Sequence, residues 1–217
     1  MGFFSSILDL LFPPKCVFCR KVLSKGDDDG WCDKCTEALP YTADLGRQVG
    51  DYYDFCVSPL YYRGAVRKSV LRFKFSGAAV NAEVYGKFLA DCIRQCPDAQ
   101  YDLISWVPLS PKRKRKRGYD QAMLLALATA LELEDVAVET LIKTIDVQAQ
   151  AELGGKDERS ANISGAYEVA DAELISDKRV LLIDDVITTG STLSECAKIL
   201  LDGGASGVIC AVLARGE

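Results

Sequence analysis

Apolar and polar positions along this chain fall into short runs that switch between two periods, and the switching predicts a sheet with helices laid against it. Residues 56–62, 102–107, 180–184 and 208–213 are strand-like, and most of these runs are aliphatic enough to be covered on both faces. Between them, residues 65–75, 81–96, 118–131 and 191–201 read as helices, the first with a basic face and the second ended by Pro97. This order predicts an α/β fold with a mainly parallel sheet flanked by helices. Ahead of it, Phe3, Phe4, Ile7, Leu8, Leu11 and Phe12 keep helical spacing up to Pro13-Pro14, which predicts a short amphipathic helix docked on the body. A membrane or partner contact is the other use of such a face.

Length changes the picture in one respect: 217 residues at 49% hydrophobic allow one substantial core and a small appendage. The expected division is residues 1–50 as an N-terminal helix with a metal module, and residues 51–217 as the main domain. A net charge of −5 argues against binding nucleic acid over the whole surface, while leaving room for one local basic patch. Runs of about 18 uninterrupted apolar residues are missing, and no cationic segment precedes the first apolar stretch, so a soluble cytoplasmic protein is expected.

Four of the nine cysteines form two pairs, Cys16-x-x-Cys19 and Cys32-x-x-Cys35. Each pair can curl into a knuckle that points both thiolates at one ion, and the residues between allow a hairpin to bring the knuckles together, which suits tetrahedral Zn²⁺. With four sulfur ligands the site would be closed and structural. A redox pair is the competing reading, but no βαβ unit surrounds either motif. Cys56, Cys92, Cys96, Cys196 and Cys210 lie in apolar contexts and read as small core residues.

The segment Val180-Leu181-Leu182-Ile183-Asp184-Asp185-Val186-Ile187-Thr188-Thr189-Gly190-Ser191-Thr192 joins a buried strand, two carboxylates and a hydroxyl-rich turn that opens a helix. The strand delivers the acidic pair to its carboxyl end, where open α/β folds bind ligands. The turn offers backbone N–H groups, hydroxyls and a helix N-terminus to a phosphate, and a carboxylate just before it reaches sugar hydroxyls or an Mg²⁺ held by them. A lysine at Walker A spacing is lacking.

This segment resembles the phosphoribosyl pyrophosphate (PRPP) motif of type I phosphoribosyltransferases. The resemblance implies that Asp184 and Asp185 hold the ribose hydroxyls, and that Thr188, Thr189, Gly190, Ser191 and Thr192 cradle the 5′-phosphate. Another conspicuous feature is Lys112-Arg113-Lys114-Arg115-Lys116-Arg117, which follows Pro108 and precedes Gly118 and is expected as a loop at the same sheet edge. Six crowded cations repel one another unless they share an anion, such as a pyrophosphate or a nucleic-acid backbone; a solvated surface run is the plainer reading.

Over nearly its full length the chain resembles the ComF family, phosphoribosyltransferase-like proteins with an N-terminal four-cysteine zinc module that are associated with bacterial competence for DNA uptake. The residues that carry this are Leu8 to Pro14 followed by the first cysteine pair, and Phe73-Lys74-Phe75-x-Gly77. They continue with Val107-Pro108-Leu109, Arg113, and Arg117-Gly118-Tyr119-Asp120-Gln121-Ala122, then Gln150-x-x-Leu153, Arg159-x-x-Asn162 and Gly165-Ala166-Tyr167. The resemblance implies a type I phosphoribosyltransferase-like fold and makes Lys74, Arg113 and Arg117 the candidates for the pyrophosphate or acceptor side. Trp106 stands where proline is usual, Asp120 where asparagine is usual, and Lys143 replaces a common arginine. A carboxylate at 120 is expected to weaken the positive potential of the anion loop, and a lysine at 143 cannot make a planar bidentate contact.

Two functions follow. One is Mg²⁺-dependent transfer of a phosphoribosyl group from PRPP to an unidentified acceptor. The other is a non-catalytic DNA-uptake factor working with competence proteins, which binds single-stranded DNA through the basic run and through aromatics such as Trp106 and Tyr119.

Overall fold

The computed structural model describes residues 13–24, 27, 29–144 and 165–217. The expected N-terminal helix lies outside these residues, as do Gln150, Leu153, Arg159 and Asn162.

Among the described residues the main sheet is parallel throughout, in the order β1 (Cys56–Val57), β7 (Gly207–Arg215), β6 (Arg179–Ile187), β3 (Leu103–Trp106), with β2 (Leu60–Tyr61) also paired to β7. Ser58-Pro59 divides the expected strand 56–62 into β1 and β2, since a proline withholds the N–H that a ladder needs. The central strand forms as its sequence dictates. Val180, Leu181, Leu182 and Ile183 are all buried, and a strand with no solvent face tolerates aliphatic residues at consecutive positions.

Because side chains alternate across a strand, the sheet sorts them into two cores. Leu181 and Ile183 join Ile104, Trp106, Ile209 and Leu213 against α2 (Gly64–Phe75), α3 (Asn81–Arg94) and α5 (Gln121–Glu132). Val180 and Leu182 join Cys56, Val208, Cys210 and Val212 against α7 (Ser191–Asp202) and an antiparallel ribbon of β4 (Leu141–Lys143) and β5 (Tyr167–Val169). A short helix, α6 (Ala172–Ile175), follows the ribbon.

The cysteine module, with α1 (Asp33–Ala38), is built onto the first core. Val17 and Phe18 of its first knuckle are buried there, and the Phe18 ring meets Phe88 edge-on with centroids 5.6 Å apart. The Arg72 guanidinium donates to the Val17 and Phe18 carbonyls at 2.6 and 2.9 Å, and the Ser69 hydroxyl donates to the same Val17 oxygen.

Three further elements differ from expectation. The basic run is helix α4 (Pro111–Arg117), not a loop: Ser110 caps its first turn, Pro111 occupies N1, and Gly118 at φ +85° closes it. The helix expected from residue 118 begins at Gln121, with Asp120 as its cap. Strand β6 does not stop at Asp184 but runs on to Ile187.

Candidate functional site

Strand β3 ends sooner than its neighbour. Its last residue, Trp106, pairs with Ile183, and the Val107 N–H donates to the Ile183 carbonyl at 3.0 Å before the chain turns away at Pro108. Asp184 and Asp185 therefore lie beyond the end of β3 while β7 still flanks them, with Asp184 opposite Val212. The two carboxylates share a strand end but point to opposite faces of the sheet, as adjacent strand residues must.

On the face of α2 and α5, Lys74 Nζ stands 2.8 Å from Asp185 Oδ1. Arg117 lies on this side too, in the field of Asp185, and its guanidinium donates to Gln121 Oε1 at 2.6 Å. Helix α4 has brought this about. Arg113 and Arg117 are one turn apart and half-buried, whereas Lys112, Lys114, Arg115 and Lys116 are exposed, so the helix divides the run into a site-facing pair and a solvent-facing group.

On the other face, Asp184 is packed near Tyr167, Cys56, Cys196 and Cys210, each of which feels its charge. Burial pushes the Asp184 carboxyl up to about 8, and the neighbouring Asp185 carboxylate adds to the rise. The Asp185 N–H, donating to Asp184 Oδ1 at 2.8 Å, and the Lys74 ammonium oppose it. Lys143 Nζ donates to the Tyr167 hydroxyl at 2.7 Å, and the charge of Arg113 also reaches that phenol.

The loop after β6 carries Thr188, Thr189 and Ser191 exposed, with Thr189 Oγ1 and Ser191 Oγ 3.0 Å apart. Gly190, at φ +79°, is the N-cap of α7, and a Cβ there would come within 3.0 Å of the Tyr53 hydroxyl. Tyr53 is a neighbour the sequence did not announce; its phenol is buried and pushed up to about 12, chiefly by that burial.

The charge of Asp120 does reach Arg117 and Asp184, and its side chain has a second job as well. Its carboxylate accepts the Leu109 N–H at 2.7 Å and the Met123 N–H at 3.3 Å, pinning the turn after β3 to the start of α5. Trp106 is only 7% exposed and packs in the core, so it offers no face to a nucleic-acid base. Tyr119 is half-buried and donates its hydroxyl to the Phe73 carbonyl. A cavity of about 480 Å³ between the cysteine module and α3, lined in part by Pro14, Val17, Val80 and Val84, shares no residue with the acidic pair or its loop.

The four paired cysteines converge as their spacing predicted. Their sulfur atoms all lie within 4.8 Å of one another, with Cys16 to Cys35 at 3.6 Å and Cys19 to Cys32 at 3.7 Å. Tetrahedral Zn²⁺ with bonds of about 2.3 Å requires sulfurs roughly 3.8 Å apart, so the donor set fits that ion. Among the described residues no other cluster of this kind occurs.

Comparison with known proteins agrees with both halves of this architecture. A family model described as "Phosphoribosyl transferase domain" matches residues 121–217, and one described as "Double zinc ribbon domain" matches residues 7–56. The protein therefore has a phosphoribosyltransferase-like α/β fold with a structural zinc module at its N-terminal side. It is 28% identical over 207 residues to Competence protein F of Haemophilus influenzae, covering 86% of this chain and 90% of that one. It is 28% identical over 155 residues to Competence protein ComFC of Streptococcus pneumoniae, covering 68% of this chain and 62% of the relative. It is 33% identical over 109 residues to DNA utilization protein YhgH of Escherichia coli, covering 49% of this chain and 46% of the relative. These relatives and the two domain matches together support a ComF family protein. Among the described residues, no helix is long and apolar enough to cross a membrane.

Proposed function

We propose that the protein binds PRPP and transfers its phosphoribosyl group to an acceptor, as a cytoplasmic component of competence-linked DNA handling. The observation that carries this reading is the strand end of β6. Two carboxylates stand clear of β3 directly before an exposed hydroxyl loop, and Lys74 and Arg117 converge on one of them. Asp184 and Asp185 take the ribose hydroxyls, the residues from Thr188 to Thr192 take the 5′-phosphate, and Lys74, Arg113 and Arg117 take the pyrophosphate.

In the reaction the acceptor's lone pair attacks C1 of the ribose as the C1–O bond to pyrophosphate breaks, and the acceptor gives up a proton. The work of the chain is positioning and charge. The carboxylates orient the sugar and favour positive charge developing on it, while Lys74 and Arg117 stabilise the departing anion. The acidic pair also fits the neighbourhood of a divalent cation. The Asp184 carboxyl, pushed up to about 8 by burial and by the neighbouring Asp185, is a group whose ionised form a nearby cation would favour. Asp184 and Asp185 are the residues that would lie beside a bound Mg²⁺, which would supply neutralisation of leaving-group charge.

A second reading is favoured by the solvent-facing half of α4. Lys112, Lys114, Arg115 and Lys116 suit the backbone of single-stranded DNA, and relatives are named for competence and DNA utilization. The two readings are compatible, because the helix presents different residues to each ligand.

The test is a calorimetric titration of PRPP with Mg²⁺ into the zinc-loaded protein and into Asp184→Asn/Asp185→Asn. Saturable binding abolished by the double substitution supports the reading, and an absence of binding to the folded wild type overturns it.

A further inference from the structure

Val80 is the N-cap of α3, a position that favours a side chain able to accept from the helix's free N–H groups. Valine offers no acceptor, and it stands 70% exposed. It forms one lip of the cavity between the cysteine module and α3. Val84 lies one turn further along the same helix, and Pro13, Pro14, Val17 and Leu23 line the opposite side. These two walls are fixed to one another. Lys87 Nζ stands 3.0 Å from Asp29 Oδ1, and a Cβ on Gly30 would come within 2.5 Å of Val84. At about 480 Å³ the space is the size of a pocket that encloses most of a small ligand's surface, and its walls are largely aliphatic.

We propose that residues 1–12 of this chain are the occupant of the groove, with Leu8, Leu11 and Phe12 as the side chains that fill it. The chain itself leads there. Pro13 and Pro14 are groove residues, and the Leu23 N–H donates to the Pro14 carbonyl at 2.9 Å beside a bridge from Lys15 to Val22, which fixes the point where residue 12 must join. Leu8, Leu11 and Phe12 stand at i, i+3 and i+4, one face of the helix that their spacing predicts. The match to the zinc ribbon model begins at residue 7, so it takes in all three and joins them to the module. Charge agrees with this seat: Asp9 is the one ionisable side chain of the segment, and Lys15 and Arg20 are exposed at the rim of the groove. A lipid surface is the poorer match, because residues 1–12 contain no lysine or arginine to meet anionic head groups. The seat is independent of the phosphoribosyl reading.

The experiment replaces Leu8 in the full, zinc-loaded chain with the photo-reactive amino acid p-benzoylphenylalanine, irradiates the protein, and maps the cross-link by mass spectrometry. The expected product is a cross-link within one chain, to the first turns of α3 around Val80, Val84 and Lys87. Val80→Glu is expected to lower its yield roughly tenfold, the worth of burying one aliphatic side chain, whereas Val80→Ile keeps it. Val80 is exposed, so both variants are expected to fold. Cross-links to any other part of the chain, or a yield that Val80→Glu leaves unmoved, overturn the proposal. A cross-link between two chains overturns it in favour of a contact between copies. Vesicles of phosphatidylethanolamine and phosphatidylglycerol that capture the wild-type protein and abolish the cross-link overturn it in favour of a lipid surface.

Discussion

Lys74 Nζ and Asp185 Oδ1, 2.8 Å apart, tie the last turn of α2 to the C-terminal end of β6. The side chains are 21% and 10% exposed, so the pair is shielded from solvent screening and each partner depends on the other. It also makes the acidic pair unequal. Asp185 is neutralised by a lysine, whereas the Asp184 carboxyl, pushed up to about 8, keeps its proton at neutral pH.

Lys74→Met should therefore act twice. It removes a cation from the pyrophosphate side, and PRPP affinity is expected to fall roughly 10- to 100-fold, the worth of one charged hydrogen bond. It also leaves Asp185 unpaired, lowering stability by about 1–3 kcal/mol. Urea unfolding of Lys74→Met, Asp185→Asn and the double variant checks the second effect, because the double variant should lose less than the sum of the singles. Strict additivity would show that the pair contributes nothing.

Asp184 sets the pH response. Its folded value of about 8 lies above the ordinary carboxyl value of roughly 3.9. Below about pH 4 the group is neutral in both states and costs nothing. As pH rises toward 8 the unfolded chain ionises while the folded protein holds its proton, so stability falls through that window. Asp184→Asn should remove the penalty. Its advantage over wild type is expected to grow from pH 5 to pH 8 and to exceed about 1 kcal/mol, roughly 2–4 °C in Tm. A thermal-melt difference that stays flat over this range would contradict the assignment.

These features were unequally legible in the sequence. The core of β6 was plain because four consecutive aliphatic residues admit few other environments, and the cysteine cluster because its spacing is a coordination geometry written linearly. The extension of β6 through Asp184 to Ile187 was hidden, since aspartate is a poor strand former and only pairing with β7 holds it there. The basic run read as a loop because an all-cationic stretch has no apolar periodicity, yet Ser110, Pro111 and Gly118 are helix start and stop signals that stood in view. The β4–β5 ribbon could not be read at all, because residues 144–166 separate its strands and no turn signature joins them. The pairing of Lys74 with Asp185 spans more than half the chain, a relationship no local pattern carries.

The two faces of α4 should separate genetically. Replacing Lys112, Lys114, Arg115 and Lys116 together with glutamine is expected to weaken single-stranded DNA binding and to reduce its log–log salt slope by roughly 3, the release from four phosphate contacts. PRPP binding should persist in that variant, because Arg113 and Arg117 remain. Arg117→Gln alone should do the reverse, weakening PRPP with little change in the salt slope. Fluorescence anisotropy of a labelled oligonucleotide across a salt series, beside the PRPP titration, reads both. Parallel loss of both ligands in the quadruple variant would mean that the helix acts as one undivided patch.

Zinc should stabilise more than its own module. The knuckle between Cys16 and Cys19 supplies Val17 and Phe18 to the main core, the carbonyls of both accept from Arg72, and Phe18 covers Phe88 on α3. Trp31, in the same module, stands 4.9 Å from Phe88, centroid to centroid. Without the metal only a few backbone hydrogen bonds hold the knuckle, so Phe88 and Tyr85 lose cover and the half-buried Arg72 guanidinium loses its acceptors as it opens. Cys32→Ser, or removal of zinc with a strong chelator, is expected to cost the phosphoribosyltransferase-like half about 2 kcal/mol or more, roughly 4–8 °C in Tm. Trp106 lies in that half, at the end of β3, and Trp31 lies in the module, so a Trp31→Phe background makes Trp106 fluorescence a reporter of the main core alone. A lowered Trp106 transition on zinc removal is the expected outcome. An unmoved one would show that the module folds as an independent bead, and that its contacts with α2 and α3 add little to stability.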